Sequence, residues 1–188
     1  MDLTEAQWQK VIHHTTAANH PNPGPRSAPN VVMLTLAALV GDVDQIVASH
    51  TEYKWDAPTI WRTWVFTPSG LAHVEASFEP EEYDALEDRQ RRRPGSFDRP
   101  VDPTALTARM RPLRTATSFA FTRVYHRAWT DQIGAHTHFA PLEIELSFGA
   151  ATERIGINTW LSDQAKRERW EEFVNAARTA AITGGPST

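Results

Sequence analysis

Apolar residues recur at helical spacing near the two ends of the chain and at alternating spacing between them. Close to the start, Trp8, Val11, Ile12 and Thr15 share one helical face, Thr4 with Gln7 forms a capping box, and Leu3 with Trp8 a hydrophobic staple around it. This predicts a first helix over 5–18. Residues 19–29 hold four prolines and a glycine, too many for a helix to continue, so the 1–30 region reads as a helix followed by a Pro-rich connector. Near the other end Trp170, Phe173, Val174, Ala177 and Ala181 mark one stripe. Ser162 or Asp163 can cap that segment and Gly184, Gly185 and Pro186 stop it, which predicts an amphipathic helix over 162–182 and a flexible tail over 183–188.

Extended segments are predicted at 45–55, 59–67 and 71–78, separated by Asp56-Ala57-Pro58 and Pro68-Ser69-Gly70, and again at 117–129, 136–148 and 154–161. In 136–148, Leu142, Ile144, Leu146 and Phe148 alternate with Glu143, Glu145 and Ser147, the signature of a strand with one buried face. The run 31–40 is two-sided. Val31, Val32, Thr35 and Val40 favour a strand, whereas Leu34, Leu36, Ala37, Ala38 and Leu39 suit a buried helix capped by Asn30. Gly41-Asp42 and the extended segments that follow place it as a strand. Residues 79–116 carry Pro80, Pro94, Pro100, Pro103 and Pro112 with many charges, which reads as an Arg/Pro-rich excursion containing a short helix at 81–92. The expected fold class is α+β: one antiparallel meander sheet of about seven strands, with an N-terminal helix and a capping C-terminal amphipathic helix.

A length of 188 residues suits one domain spanning 1–188, and 40% hydrophobic with 22% charged residues is an ordinary globular balance. The absence of cysteine removes disulfides, thiol nucleophiles and Cys-held metals. The acidic, polar start is unlike a secretory signal, and the longest apolar run, 31–41, is about half the ~20 residues of a membrane span, so the expectation is a cytoplasmic protein without membrane insertion. A formal net charge of −4 argues against nucleic acid as a partner.

The order of four strands, an excursion, three strands and a closing helix bearing Trp170 resembles the pleckstrin-homology-like superfold over 31–182. That resemblance implies a bent sheet whose open end the final helix plugs. The extra N-terminal helix and the long 79–112 insertion depart from it. They fit better a second resemblance, to secretion-chaperone-like α+β domains, which usually have fewer strands. Both imply binding, not catalysis. A lipid-headgroup site of the first kind would favour basic residues near the first hairpin, where this chain has Gly41-Asp42-Val43-Asp44.

Three constellations carry candidate chemistry. Trp55 and Trp61 flank the 56–58 turn, with Trp64 beyond, and tryptophan at a hairpin tip can anchor a protein partner. Arg91, Arg92 and Arg93 head a basic group with Arg89, Arg99, Arg109, Arg111 and Arg114, suited to oxyanions or an acidic protein face, or else to pairing with Glu79, Glu81, Glu82, Asp84, Glu87 and Asp88 upstream. His136-Thr137-His138, followed by Glu143 and Gly149, resembles the first metal-binding motif of cupins, which implies one divalent transition metal held by His136, His138 and Glu143. Gly134 stands too close for that motif's leading glycine, no later histidine follows, and strand alternation demands a bulge near Pro141 to bring Glu143 to the histidines' face. His73 and Glu75 share a strand face and can serve acid–base chemistry if they line a cleft. Nucleophile elbows, phosphate-binding P-loops and dinucleotide motifs are missing. The balance favours a non-enzymatic interaction domain without a cofactor, adaptor-like, chaperone-like or immunity-like, which binds a protein partner and leaves self-association open. The competing class is the small cupin-like metal-dependent enzyme.

Overall fold

The computed structural model describes residues 3–17, 26–54, 58–79, 88, 90–93, 95–96, 99–130, 134–157 and 164–183, and forms two compact units, Met1–Arg111 and Pro112–Thr188. The fold class is α+β, with three α-helices among the described residues. The strands form two separate antiparallel sheets and a short ribbon, not one meander of about seven. No helix among the described residues is long and apolar enough to cross a membrane.

The first unit opens with α1 (Glu5–Thr15), where both halves of the Thr4/Gln7 capping box are made. Leu3 and Trp8 pack against the core, as a hydrophobic staple does. A ribbon of β1 (Thr16–Ala17) and β2 (Arg26–Ser27) follows, and then residues 30–40 form α2 (Asn30–Val40) in place of the expected strand. Burial decides this. Val32, Met33, Leu36 and Ala37 enter the core at helical spacing, so one face of a nearly all-apolar segment is satisfied by packing while β-branched propensity is overridden. The cap also differs from expectation: Pro29 holds the N-cap position, and Asn30 turns its amide to Asp88. Gly41 ends the helix at φ 79°, a conformation that favours glycine.

A four-stranded sheet follows in the order β3 (Ala48–Lys54), β4 (Thr59–Phe66), β5 (Gly70–Phe78) and β6 (Ala105–Pro112). Thr104 donates to Ser77 at one end of the last pair, and at the other a Cβ on Gly70 would lie 2.7 Å from the Arg111 carbonyl oxygen, so β6 runs antiparallel to β5. Part of the expected excursion is therefore the edge of this sheet. One sheet face, with Tyr53, Trp61, Val65, Ala72, Val74, Ala76 and Phe78, joins α1 and α2 in a single core.

In the second unit β7 (Ala116–Thr130), β8 (Ala135–Phe148) and β9 (Ala151–Gly156) make a three-stranded sheet, and α3 (Gln164–Thr183) closes the chain. β9 pairs with 143–148 of β8, and beyond that stretch β7 and β8 continue as a two-stranded ribbon among the described residues. α3 buries Trp170, Phe173, Val174 and Ala177 as its stripe requires, with Ala180 completing it where Ala181 is only half-buried. The Trp170 indole N–H donates to the Pro141 carbonyl at 2.7 Å, which fixes the helix to β8. The last strand ends at Gly156, earlier than the 154–161 expectation. The caps at 162–163, the glycines at 184–185 and residues 81–87 of the helix expected at 81–92 lie outside the described residues, while 88, 90 and 91 are helical.

Candidate functional site

Cross-strand register builds a buried aromatic row on the sheet face opposite the α1–α2 core. His50 pairs with Trp64 and Trp64 with His73. The rings stack, with centroids 6.0 Å apart at 19° for His50–Trp64 and 4.8 Å apart at 9° for Trp64–His73. His50 is 3% and His73 4% exposed. Two residues along, Glu52, Arg62 and Glu75 form a parallel charged row: Arg62 Nε meets Glu75 Oε2 at 2.6 Å, with Glu52 3.9 Å from Arg62 and 3.8 Å from His50. The Glu75 carboxylate is thus held by Arg62, and its strand-mate His73 is stacked on a tryptophan. An acid–base pair of His73 with Glu75 is not what this geometry makes. It makes a cross-strand packing ladder.

The tryptophan-hairpin reading meets a physical limit at Trp61. Its side chain is 1% exposed, packs on Tyr53 with centroids 4.6 Å apart, and its indole N–H has no hydrogen-bond partner among the described residues. Alternation along β4 points Trp61 into the α1–α2 core, so its indole is not presented to a partner. Trp55 lies outside the described residues.

The basic cluster divides by role. Asp88 is fully enclosed and accepts from three directions: Asn30 Nδ2 at 3.1 Å, Arg92 Nε at 2.9 Å and the Val101 backbone N–H at 3.1 Å. Arg92 also donates to the Val101 carbonyl at 3.2 Å. Arg92 is therefore a brace between Asp88 and Val101, in line with the pairing alternative, and Asp88 carries the link to α2 through Asn30. Arg91 is half-buried and, with Arg99, Glu79, Asp102 and Phe78, lines a cleft of about 280 Å³ whose charges are of both signs. Arg93 is exposed.

Backbone register sets His136 opposite Trp129 and His138 opposite Arg127; the side chains of these two histidines lie outside the described part. The β7–β8 register slips between Phe121 and Val124 and leaves Leu142, next to Pro141, without a partner on β7, while its carbonyl accepts from Ile157; β8 still runs unbroken over Ala135–Phe148, so Glu143 stands five residues, roughly 16 Å, from His138, too far for the two to share one ion. Glu143 accepts the Thr122 hydroxyl at 2.6 Å. Glu145 holds Arg154 at 2.9 Å and raises its pKa through that hydrogen bond. Among the described residues no three His, Cys, Asp or Glu side chains gather as metal ligands.

Sequence reasoning missed the ribbon's own surface. Phe121, Val124 and Phe139 are 39%, 45% and 55% exposed. The other exposed large apolar residues, Leu34, Val47, Leu106 and Ile182, stand on separate segments. Pairing of Val124 with Pro141 and of His126 with Phe139 sets Val124 and Phe139 on one face, and the Phe121–Phe139 ring contact at 6.3 Å brings Phe121 to the same side. Phe119 stacks edge-on against Phe121 at 5.0 Å, and the Arg178 guanidinium of α3 lies 6.0 Å and 5.6 Å from these two rings. Where α3 stops covering the sheet, the same apolar face continues into the open. The signal in the sequence was ordinary alternation, which does not distinguish an open face from a closed one.

No protein-family model, curated protein or solved structure matches the chain. The reading of function therefore rests on these surfaces.

Proposed function

We propose that the chain is an intracellular, non-enzymatic interaction domain and that its protein partner docks on the β7–β8 ribbon. The observation that carries this is the clustering of Phe121, Val124 and Phe139 on one exposed face. Contiguous exposed apolar side chains cost solubility and mark contact surfaces, whereas single ones are ordinary. The proposal moves the docking surface away from Trp61, which is core, and from Arg92, which is a brace. The test is affinity capture from the source cell, followed by identification of the bound protein and measurement with it in purified form. Phe121→Ser with Phe139→Ser should abolish capture, while Arg93→Ala with Arg99→Ala should leave it intact; the reverse result moves the interface to the first unit.

A second reading keeps His136 and His138 as ligands of one divalent transition metal in a small cupin-like enzyme, with Glu143, roughly 16 Å from His138 along the same strand, outside the ligand set. Metal analysis of untagged protein decides it: stoichiometric metal that is lost in His136→Ala and His138→Ala favours the enzyme, and metal-free protein after equilibration with zinc, manganese and iron rejects it.

A further inference from the structure

We infer that Ser96 is a phosphorylation site for an arginine-directed serine/threonine protein kinase; this is independent of where the protein partner docks. An arginine shortly before a hydroxyl is a charge pattern that a kinase groove reads, because carboxylates lining the groove pair with the guanidinium fork in a bidentate manner. Three hydroxyls of the chain stand three residues after an arginine: Ser96 after Arg93, Thr117 after Arg114 and Thr130 after Arg127. Of these, Ser96 alone has three arginines in the five residues before it, Arg91, Arg92 and Arg93, and that stretch holds no carboxylate.

The fold separates the three. Thr117 and Thr130 belong to β7, where Thr130 pairs with Ala135 and the Thr117 hydroxyl donates to the Ser147 carbonyl at 3.4 Å. A hydroxyl must enter the kinase's active site to react, which a strand residue does only by leaving its sheet and a loop residue does far more readily. Ser96 lies in a turn. Residues 88, 90 and 91 are helical; beyond them the Ser96 N–H donates to the Arg93 carbonyl at 3.1 Å, and Gly95 at φ 84° supplies the left-handed step that reverses the chain. Arg93, Gly95 and Ser96 are exposed. Arg92 is engaged as a brace by Asp88 and Arg91 is half-buried on the cleft wall, so Arg93 is the arginine presented with the hydroxyl.

In the reaction the Ser96 Oγ attacks the γ-phosphorus of a nucleoside triphosphate held by the kinase. The Oγ–P bond forms as the bond from phosphorus to the β–γ bridging oxygen breaks, the nucleoside diphosphate leaves, and the hydroxyl proton passes to the kinase's catalytic carboxylate. The product carries a charge of about −2 at neutral pH, set between Arg93 three residues before it and Arg99 three residues after it, both exposed. Charge-assisted bonds from these guanidiniums to the phosphate order the turn.

The experiment incubates the full chain with Mg-ATP and a purified arginine-directed serine/threonine kinase, uses an acid-directed kinase as control, and locates phosphate by mass spectrometry. The expected result is one phosphate, on Ser96, with the first kinase and none with the control. Ser96→Ala should lose the label. Arg93→Ala should lower kcat/KM for labelling about tenfold or more without moving the unfolding midpoint, whereas Arg114→Ala should leave it unchanged. In the phosphorylated protein amide exchange should slow at Gly95 and Ser96, and Arg93→Ala with Arg99→Ala should remove that slowing in protein labelled to completion. Phosphate on Thr117 or Thr130 in place of Ser96, equal labelling by the two kinases, undiminished labelling of Arg93→Ala, or no labelling at all overturns the inference. Unchanged exchange in fully phosphorylated protein overturns the ordering of the turn.

Discussion

In the first unit Trp61 and Trp64 lie on opposite faces of β4 and both are buried, one in the α1–α2 core and the other between two stacked histidines. In the second unit Phe121 and Phe139 lie on one face of a two-stranded ribbon and are 39% and 55% exposed. The two regions are written in the same alternating code, yet one uses its aromatics to hold itself together and the other leaves them open. Aromatic content is therefore a poor guide to a binding surface. What distinguishes Trp61 from the two phenylalanines is that α1 and α2 cover its face, whereas α3 covers only part of its sheet.

The sharpest way to break this comparison is Trp61→Ala. A fully buried indole replaced by a methyl group should cost about 3–5 kcal/mol, a large part of a domain's total stability, measured by urea unfolding. A shift below about 0.5 kcal/mol, the range of surface substitutions, would mean that Trp61 is not core. Next comes Asp88→Ala, which removes at once the acceptor shared by the Asn30 amide, the Arg92 guanidinium and the Val101 N–H. The expected loss is about 2–4 kcal/mol, and Arg92→Met should cost less because Asp88 keeps two donors. Equal losses in both variants would contradict the brace. Smaller again is Arg62→Met on the half-exposed Glu52–Arg62–Glu75 row, about 0.5–1 kcal/mol and reduced by salt. A salt-independent loss would show that packing, not charge, is the contribution.

The smallest effect expected is a response to acid. Asp44 is held below its ordinary pKa by hydrogen bonds from Lys10 and Gln7, which tie α1 to the turn before β3. A carboxyl with a depressed folded-state pKa contributes stability that is present above its unfolded value and lost as pH falls through the folded one. Acidification below about 4 should therefore loosen α1 first, visible as faster amide exchange at 5–15, and Asp44→Asn should remove the pH dependence of that exchange. Persistence of the dependence in the variant would assign it to another group.

How much of this was legible in the sequence depends on how local the signal is. The Thr4/Gln7 box and the Trp170, Phe173, Val174, Ala177 stripe are written within a few residues of one another, and both helices formed, although the first ends at Thr15 because Thr16 and Ala17, expected to be helical, pair in the short ribbon. Residues 31–40 are apolar on nearly every side, so periodicity is silent there, and the decision fell to tertiary burial against α1 and the sheet. β6 was hidden among prolines and arginines, although Leu106, Ala108 and Met110 alternate with Thr107, Arg109 and Arg111. An edge strand needs only weak patterning, and the division into two sheets depends on pairing between distant segments. The same reason separates the site from the reading of it. Trp61 and Phe139 look alike in sequence, and only the elements packed around them make one a core residue and the other a surface.

The central claim is that the β7–β8 ribbon is an open docking face and not a misplaced core. The most direct test is to measure unfolding free energy and partner capture on the same Phe121→Ser/Phe139→Ser variant. The account predicts a stability change within about 0.5 kcal/mol together with loss of capture. A loss of about 3 kcal/mol or more would place these rings in a core, and unchanged stability with full capture would place the partner elsewhere.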